Sequence, residues 1–483
     1  MTSRGTSSRM PWLLGALSLT LCCVYVAYTS PIERNPDPLS HLTYIRYILE
    51  HGSWPDGSVC TSCHHPPLYY LVAAGAWRVG QSLHLVDPGR AVQALSLLLT
   101  ALFVGFSIGT FRTLLPRPWQ HNLATVLVAF WPYTIIQSAR INPDVALNAI
   151  SAAALFCLAR FWRERRARWA LASSALALLA LLVKASGLAL VAAVLVTLAW
   201  ASWTSRERRT LLRTTGPIGL ALGACTVALS LLRGASGSGL PARVLGRAYE
   251  MRELARPYRS LGFYVRFDLQ SFVASPRAQT DPFHSLEPSF WNHWLKSSLF
   301  GTEIAVHGPA QPAIFPPNPA FASGPVVLLL VMLAFVLVGL WLARRQPSRA
   351  TPFVALTTLS YLTFALAFHV LVPTGHHADF RFVFPLIVPW SLLVADVAGR
   401  LRAKRNLLWH AGYLIATEWC ALSIVCFVPL SGADLAGRAQ GSAAAMPGSS
   451  ESRAPAASGS AGAERPRKVL TRPGGRGDRS LGR

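Results

Sequence analysis

Long apolar runs alternate with short, arginine-rich joints along most of the chain. Runs long enough to cross about 30 Å of hydrocarbon lie near residues 12–29, 91–111, 121–138, 143–160, 169–183, 187–203, 211–232, 323–343, 351–372, 383–399 and 407–430. A backbone surrounded by lipid must satisfy its own hydrogen bonds, so each run predicts a helix. A twelfth run, Pro66–Leu83, is ambiguous, and charge decides it. The clusters Arg160–Arg168, Arg206–Arg209, Arg344–Arg345 and Arg400–Arg405 belong on the cytoplasmic side. Counting spans back from Arg160 puts Arg112, Arg117 and the amino terminus inside as well. That bookkeeping closes only if an even number of spans separates Met1 from Arg112. The runs 12–29 and 91–111 supply two, so Pro66–Leu83 reads as an amphipathic helix on the outer face, with Pro67 in its first turn.

The expected fold class is therefore all-α and integral to a membrane, with about eleven transmembrane helices. Three polar regions, Ser30–Leu85, Arg233–Ala322 and Val372–Arg381, then share the outer face. Residues 1–430 form the polytopic domain. The tail 431–483 has no aromatic residue and is rich in Gly, Ala, Ser, Pro and Arg, so it predicts disorder. Parity places it outside, although its nine basic residues argue mildly the other way.

Composition agrees. The 483 residues are 52% hydrophobic and 14% charged, with mean hydropathy +0.37, against about a quarter charged in soluble domains. The net charge of +24 would raise nucleic-acid binding in a soluble chain. Here most basic residues lie where the positive-inside rule puts them, so no nucleic-acid partner is expected. Trp12–Thr29 follows Arg4 and Arg9 and reads as an uncleaved signal anchor. Six of the eight cysteines sit in apolar runs, where cysteine behaves as a small hydrophobe.

Polar groups near membrane depth are costly and mark candidate chemistry. Asp37 lies just past the first span, with His41 one turn on if Pro38 opens a helix. A carboxylate there is placed to take a proton from an acceptor hydroxyl, or merely to cap that helix; on spacing alone the cap leads. Cys60-Thr-Ser-Cys63-His64 has the form of a c-type haem attachment motif. A Cys60–Cys63 disulfide or a metal site with His64 ranks above it, and free thiols stay open. Arg140-Ile-Asn-Pro-Asp144, Lys184 and Gly375-His376-His377-Ala-Asp-Phe-Arg381 each put polar groups at a span end on the same side. Any one alone is explained by interfacial anchoring. Recurring together, they suit an anionic lipid headgroup with an acid nearby. Asp379, two residues from Arg381, would not face it on a helix, so a lipid phosphate is the expected partner of that guanidinium. The aromatic stretch Phe290–Gly301 has no mechanism that its sequence supplies.

The ordered set Asn-Pro-Asp37-(x)3-His41, His65-Pro-Pro-Leu-Tyr-Tyr70, Arg140-(x)3-Asp144, Lys184-(x)2-Gly187 and Arg381-Phe-(x)2-Pro385 resembles the GT-C superfamily of glycosyltransferases, of the protein O-mannosyltransferase and aminoarabinose transferase type, over roughly residues 12–400. The resemblance implies a polyprenyl-phosphate-linked sugar as donor and a lipid, glycan or protein acceptor at the outer face. It also implies Asp37 as general base, with His65, Lys184 and Arg381 on the lipid phosphate. Asp144 is a second catalytic carboxylate, and His41, Arg140, His376 and His377 are further candidates. Two departures stand out: Pro38 replaces a second acid, and His65 stands where several relatives have lysine. No cofactor is named by the sequence; a divalent cation is the open alternative. A bacterial inner membrane with a cytoplasmic amino terminus is the expected location. The rival reading is a transporter or flippase of a lipid-linked substrate, which predicts internal repeats and broken helices in both halves. No repeat is visible. A scaffold gives no reason for Asp37, Asp144 and Arg381 to converge.

Overall fold

In the computed structural model the described residues are 9–32, 38–235, 260–280, 287–304, 319–342, 344, 346, 348, 350–371 and 375–428. The apolar runs fold as helices. The first half contains α1 (Met10–Tyr28), α2 (Pro38–His51), α3 (Leu68–Ser82), α4 (Gly89–Leu114), α5 (Pro118–Ala129), α6 (Pro132–Gln137), α7 (Pro143–Glu164), α8 (Ala167–Val183), α9 (Leu188–Trp203) and α10 (Arg208–Ala235). Then come α11 (Leu261–Val265), α12 (Leu269–Ala274), α13 (Phe290–Phe300), α14 (Ser323–Leu342), α15 (Ala350–Leu371), α16 (Ile387–Ala403) and α17 (Trp409–Phe427). The only strands among the described residues are a pair of three-residue parallel ones, β1 (Ala278–Thr280) and β2 (Thr302–Ile304), with Ala278 opposite Thr302. The all-α membrane class stands.

Nine helices among the described residues are long and apolar enough to cross a membrane. The expected spans 121–138 and 169–183 fall short of that length. The first is broken into α5 and α6, because Pro132 cannot donate to the preceding turn and pushes Trp131 to an extended conformation (φ −62°, ψ 125°). The second is α8, apolar but only 17 residues long. Pro66–Leu83 yields α3, whose 15 residues cover about 22 Å, short of the hydrocarbon thickness. Tyr69, Tyr70, Ala73, Ala74, Trp77 and Gly80 form its buried stripe, while Leu71, Val72 and Val79 are exposed.

Helix α7 is buried nearly end to end and packs against α4 and α8. Ala149, Ala152, Ala153, Ala154 and Ala159 are all buried, and small side chains let apolar helices approach closely. The chain descends α7 and returns along α8, so Lys184 comes back beside Asp144. The turn there needs glycine: a Cβ on Gly187 would lie 2.8 Å from the carbonyl carbon of Ala180. The Arg160–Arg168 cluster begins near the far end of α7, whose 22 residues span about 33 Å. The described residues all fall in one compact unit, residues 1–439. The tail 431–483, expected to be disordered, lies outside them.

Candidate active site at one end of the bundle

Asp144 sits in the first turn of α7, behind Asn142 and Pro143. Its carboxylate pairs with the ammonium of Lys184, which stands between α8 and the single 3-10 turn Ala185–Gly187. Their side chains are only 3% and 7% exposed. Burying two charges is tolerable only when they satisfy each other. Arg381 and His41 also lie within electrostatic reach of Asp144.

Arg381 enters on a different segment, the 3-10 stretch Phe380–Leu386 that leads into α16. The expectation that Asp379 would not face it is corrected here. Asp379 is not helical (φ −69°, ψ 130°); it caps the stretch, and its Oδ1 accepts the backbone N–H of Arg381 at 2.9 Å. That bend brings Oδ2 to 3.6 Å from Nε of Arg381. Phe382 lies beneath both cations, with its ring centroid 5.0 Å from the Arg381 guanidinium and 4.9 Å from the Lys184 ammonium.

The third wall is α2 with the segment before α3. His41 is buried, and its Nδ1 lies 2.8 Å from the hydroxyl of Tyr70. Tyr70 stacks on Tyr44 at 3.8 Å, and the Tyr44 hydroxyl donates to the carbonyl of His65. Cys60 and Cys63 form a disulfide with Cα atoms 5.1 Å apart, which removes the free thiols that haem attachment would need. Ser40 Oγ accepts the N–H of Ser62 at 2.7 Å, tying this disulfide turn to α2. His65 stacks on His41 with ring centroids 6.2 Å apart. Burial, followed by the charges of His64, Lys184, His41 and Arg381, holds the His65 imidazole well below the usual histidine range. A histidine held that low is neutral near neutral pH and contributes no positive charge to the cluster.

Arg140 is buried, donates to the Tyr133 hydroxyl at 2.7 Å and stacks over that ring. Tyr133 in turn has Asp379, Asp144 and Arg381 within electrostatic reach, so Arg140 borders the same cluster. His377 packs against Phe368 and Phe382 instead, 4.8 and 6.0 Å between centroids. The Asp37 position and the His376 side chain lie outside the described residues. No three His, Cys, Asp or Glu side chains converge as a metal site among the described residues.

Sequence reasoning left the role of Phe290–Gly301 blank, and the structure supplies one. Helix α13 is a buried strut under the Arg381 segment. The Ser297 hydroxyl accepts the N–H of Phe380 at 2.9 Å, and Trp294 packs edge-on against Phe380. The Trp131 indole donates to the carbonyl of Ser298, joining the strut to the α5–α6 break. Lys296 is held by both oxygens of Glu287 at 2.9 and 3.0 Å. Gly301 (φ +78°) ends the helix, and a Cβ there would come within 3.0 Å of the Arg140 guanidinium and the Tyr133 ring. Aromatics at 290, 291 and 294, spaced for one face of a helix, and the serine pair 297–298 were the sequence signal that could have found this strut.

Comparison with known proteins gives three results. Residues 64–232 match the family model for dolichyl-phosphate-mannose-protein mannosyltransferase. A search of curated proteins finds no match. Among solved structures, the chain is similar to the Archaeoglobus fulgidus oligosaccharyltransferase at 11% identity and a TM-score of 0.47, covering 87% of this chain and 56% of that one. It is also similar to ArnT from Cupriavidus metallidurans bound to undecaprenyl phosphate, at 13% identity and a TM-score of 0.43, covering 90% and 79%. The chain thus spans little more than half the length of the archaeal enzyme. The segment 64–232, which carries His65, Arg140, Asp144 and Lys184, matches a mannosyltransferase family of the GT-C type, as the ordered motifs led one to expect.

Proposed function

We propose that this protein is an inverting membrane glycosyltransferase that moves a sugar from a polyprenyl-phosphate donor to an acceptor hydroxyl at the outer face. The observation that carries this reading is the convergence of His41, His65, Asp144, Lys184 and Arg381, drawn from separate segments, at one end of the bundle. Lys184, Arg381 and Arg140 face Asp144 and Asp379, which leaves one positive charge in excess among these residues. A phosphodiester donor carries one negative charge, and its phosphate gains a second as the glycosidic bond breaks. A leaving group of that kind needs fixed cations more than a general acid. The match of residues 64–232 to a family named for a dolichyl-phosphate-linked sugar supports the same donor class.

In the proposed reaction the acceptor oxygen bonds to the anomeric carbon. The bond from that carbon to the phosphate oxygen breaks, its electrons leave with the phosphate, and Asp37 takes the acceptor proton. Arg381 holds the phosphate by its planar fork, and Asp144 holds Lys184 in register beside it. His65 hydrogen-bonds without adding charge. The carboxylates are also where a divalent cation would enter. The arginine clusters support a cytoplasmic amino terminus and a non-spanning α3; the high Ala and Arg content of the chain supports a bacterial inner membrane, with an ER membrane as the alternative that would present the same face to the lumen. Residues 1–430 would carry the activity without the tail. The test is incubation of the purified protein with radiolabelled polyprenyl-phosphate sugars and lipid, glycan and peptide acceptors. Acceptor-dependent transfer supports the reading; movement of intact lipid-linked sugar across a bilayer without transfer overturns it.

A further inference from the structure

Two like charges share one aromatic ring. The Lys184 ammonium and the Arg381 guanidinium lie 4.9 and 5.0 Å from the Phe382 centroid. Arg381 precedes Phe382 in the chain, but Lys184 arrives from a separate segment, at the end of α8. The local backbone explains where the ring sits. Asp379 accepts the N–H of Arg381 on its carboxylate and the N–H of Phe382 on its carbonyl, at 2.9 and 3.4 Å. Just beyond, the chain departs from helical geometry at Val383 (φ −131°, ψ 19°). Phe368 of α15 then meets the Phe382 ring edge-on at 5.2 Å, and His377 lies at 6.0 Å.

Any apolar side chain of that size would fill the space. Only an aromatic one adds a negative face. Lys184 and Arg381 lie in each other's field and repel. Their side chains are 7% and 14% exposed, so water screens that repulsion poorly. Each cation also has its own acid, Asp144 for Lys184 and Asp379 for Arg381. An acid holds a cation by cancelling its charge and occupying its N–H donors. A ring face attracts the same cation through its quadrupole and carries no net charge. Phe382 therefore draws the two cations together while leaving their charge to act on a third group. Without that attraction, repulsion and the two separate acids pull the cations apart. A phosphate that needs both would then have to bring them back together as it binds.

We propose that Phe382 is a positioning residue that holds Lys184 and Arg381 as a pair for one lipid phosphate, through the charge of its ring face and not through its bulk. The role rests on the donor class proposed above. The full chain in nanodiscs tests it with Phe382→mono-, di- and trifluorophenylalanine, since fluorine withdraws charge from the ring face at nearly constant shape. Phe382→cyclohexylalanine keeps the bulk and removes the negative face. The probe is sugar-free polyprenyl phosphate, with the matching polyprenol, which lacks the phosphate, as control. Affinity for the phosphate should fall with each added fluorine, by about tenfold at the trifluoro step, and cyclohexylalanine should bind no better than that. Polyprenol binding should stay as in the unsubstituted protein. A variant that loses polyprenol as well has lost its fold, and the monofluoro step, nearest to phenylalanine in shape, then decides. A flat series, or one in which affinity rises with fluorine, overturns the role, because bulk alone would then account for Phe382. A graded series in a protein that transfers no sugar overturns the proposed function and leaves the role of the ring standing. A flat series with transfer intact does the reverse. Absence of polyprenyl phosphate binding in the unsubstituted protein overturns both.

Discussion

Removing Lys184 separates structure from function in the charged cluster. Its ammonium and the Asp144 carboxylate are 7% and 3% exposed, so neither has water to fall back on. Lys184→Met removes the only ion-pair partner of the buried Asp144 carboxylate among the described residues, leaving it the longer-range field of Arg381 and His41 alone. Breaking such a pair from one side costs about 3–5 kcal/mol, or roughly 10²–10⁴-fold in the unfolding constant. The double variant Lys184→Met with Asp144→Leu removes both charges, and replacing a buried pair by apolar groups is often neutral. Stability should therefore return in the double variant while donor binding stays lost, because the phosphate no longer meets the ammonium. The assay pairs equilibrium unfolding by SDS in mixed micelles with binding of polyprenyl phosphate. A cost below about 1 kcal/mol for the single variant would mean that the pair is solvated, against the buried-pair argument. Wild-type lipid binding in the double variant would show the pair to be purely structural.

Arg381→Ala should abolish transfer and weaken donor binding, with Arg381→Lys keeping a small fraction, since lysine retains the charge but not the fork; normal turnover in Arg381→Ala refutes the phosphate clamp. Asp37→Asn should cut transfer by about 10²–10⁴-fold with donor binding intact, and near wild-type turnover would reduce Asp37 to a helix cap. His65 should destabilise the fold in acid. Its imidazole is held below the ordinary value of 6.5, so the unfolded chain takes up a proton first, and stability is full above that pH and falls below it. His65→Gln should flatten that part of the pH–stability curve, and an unchanged curve assigns the acid sensitivity elsewhere. Cysteines placed at 88 and 376 should both react with an impermeant reagent from outside and those at 165 and 402 should not; labelling at 376 with protection at 88 would make α3 a span.

The membrane class, most of the long helices and the ordered polar motifs were legible in the sequence, because hydropathy and proline act locally. The match of residues 64–232 to a mannosyltransferase family agrees with those motifs. The expected eleven spans became nine helices of spanning length among the described residues. Run length says little about a break such as Trp131–Pro132, which the missing N–H of Pro132 imposes and a count of apolar residues does not register. Pairing was a tertiary matter. Asp144 and Lys184 are forty residues apart in the chain and meet only because α7 and α8 run antiparallel across a turn that requires Gly187. Asp379 reaches Arg381 because the segment enters α16 as a bent 3-10 stretch and not as a helix, and no periodicity argument reports that bend. The neutral state of His65 depends on the cations and the burial that other segments bring to it. The strut α13 stayed unread for the same reason: a polar residue's type names the bonds it can make, and only the packed neighbours decide which of them are met.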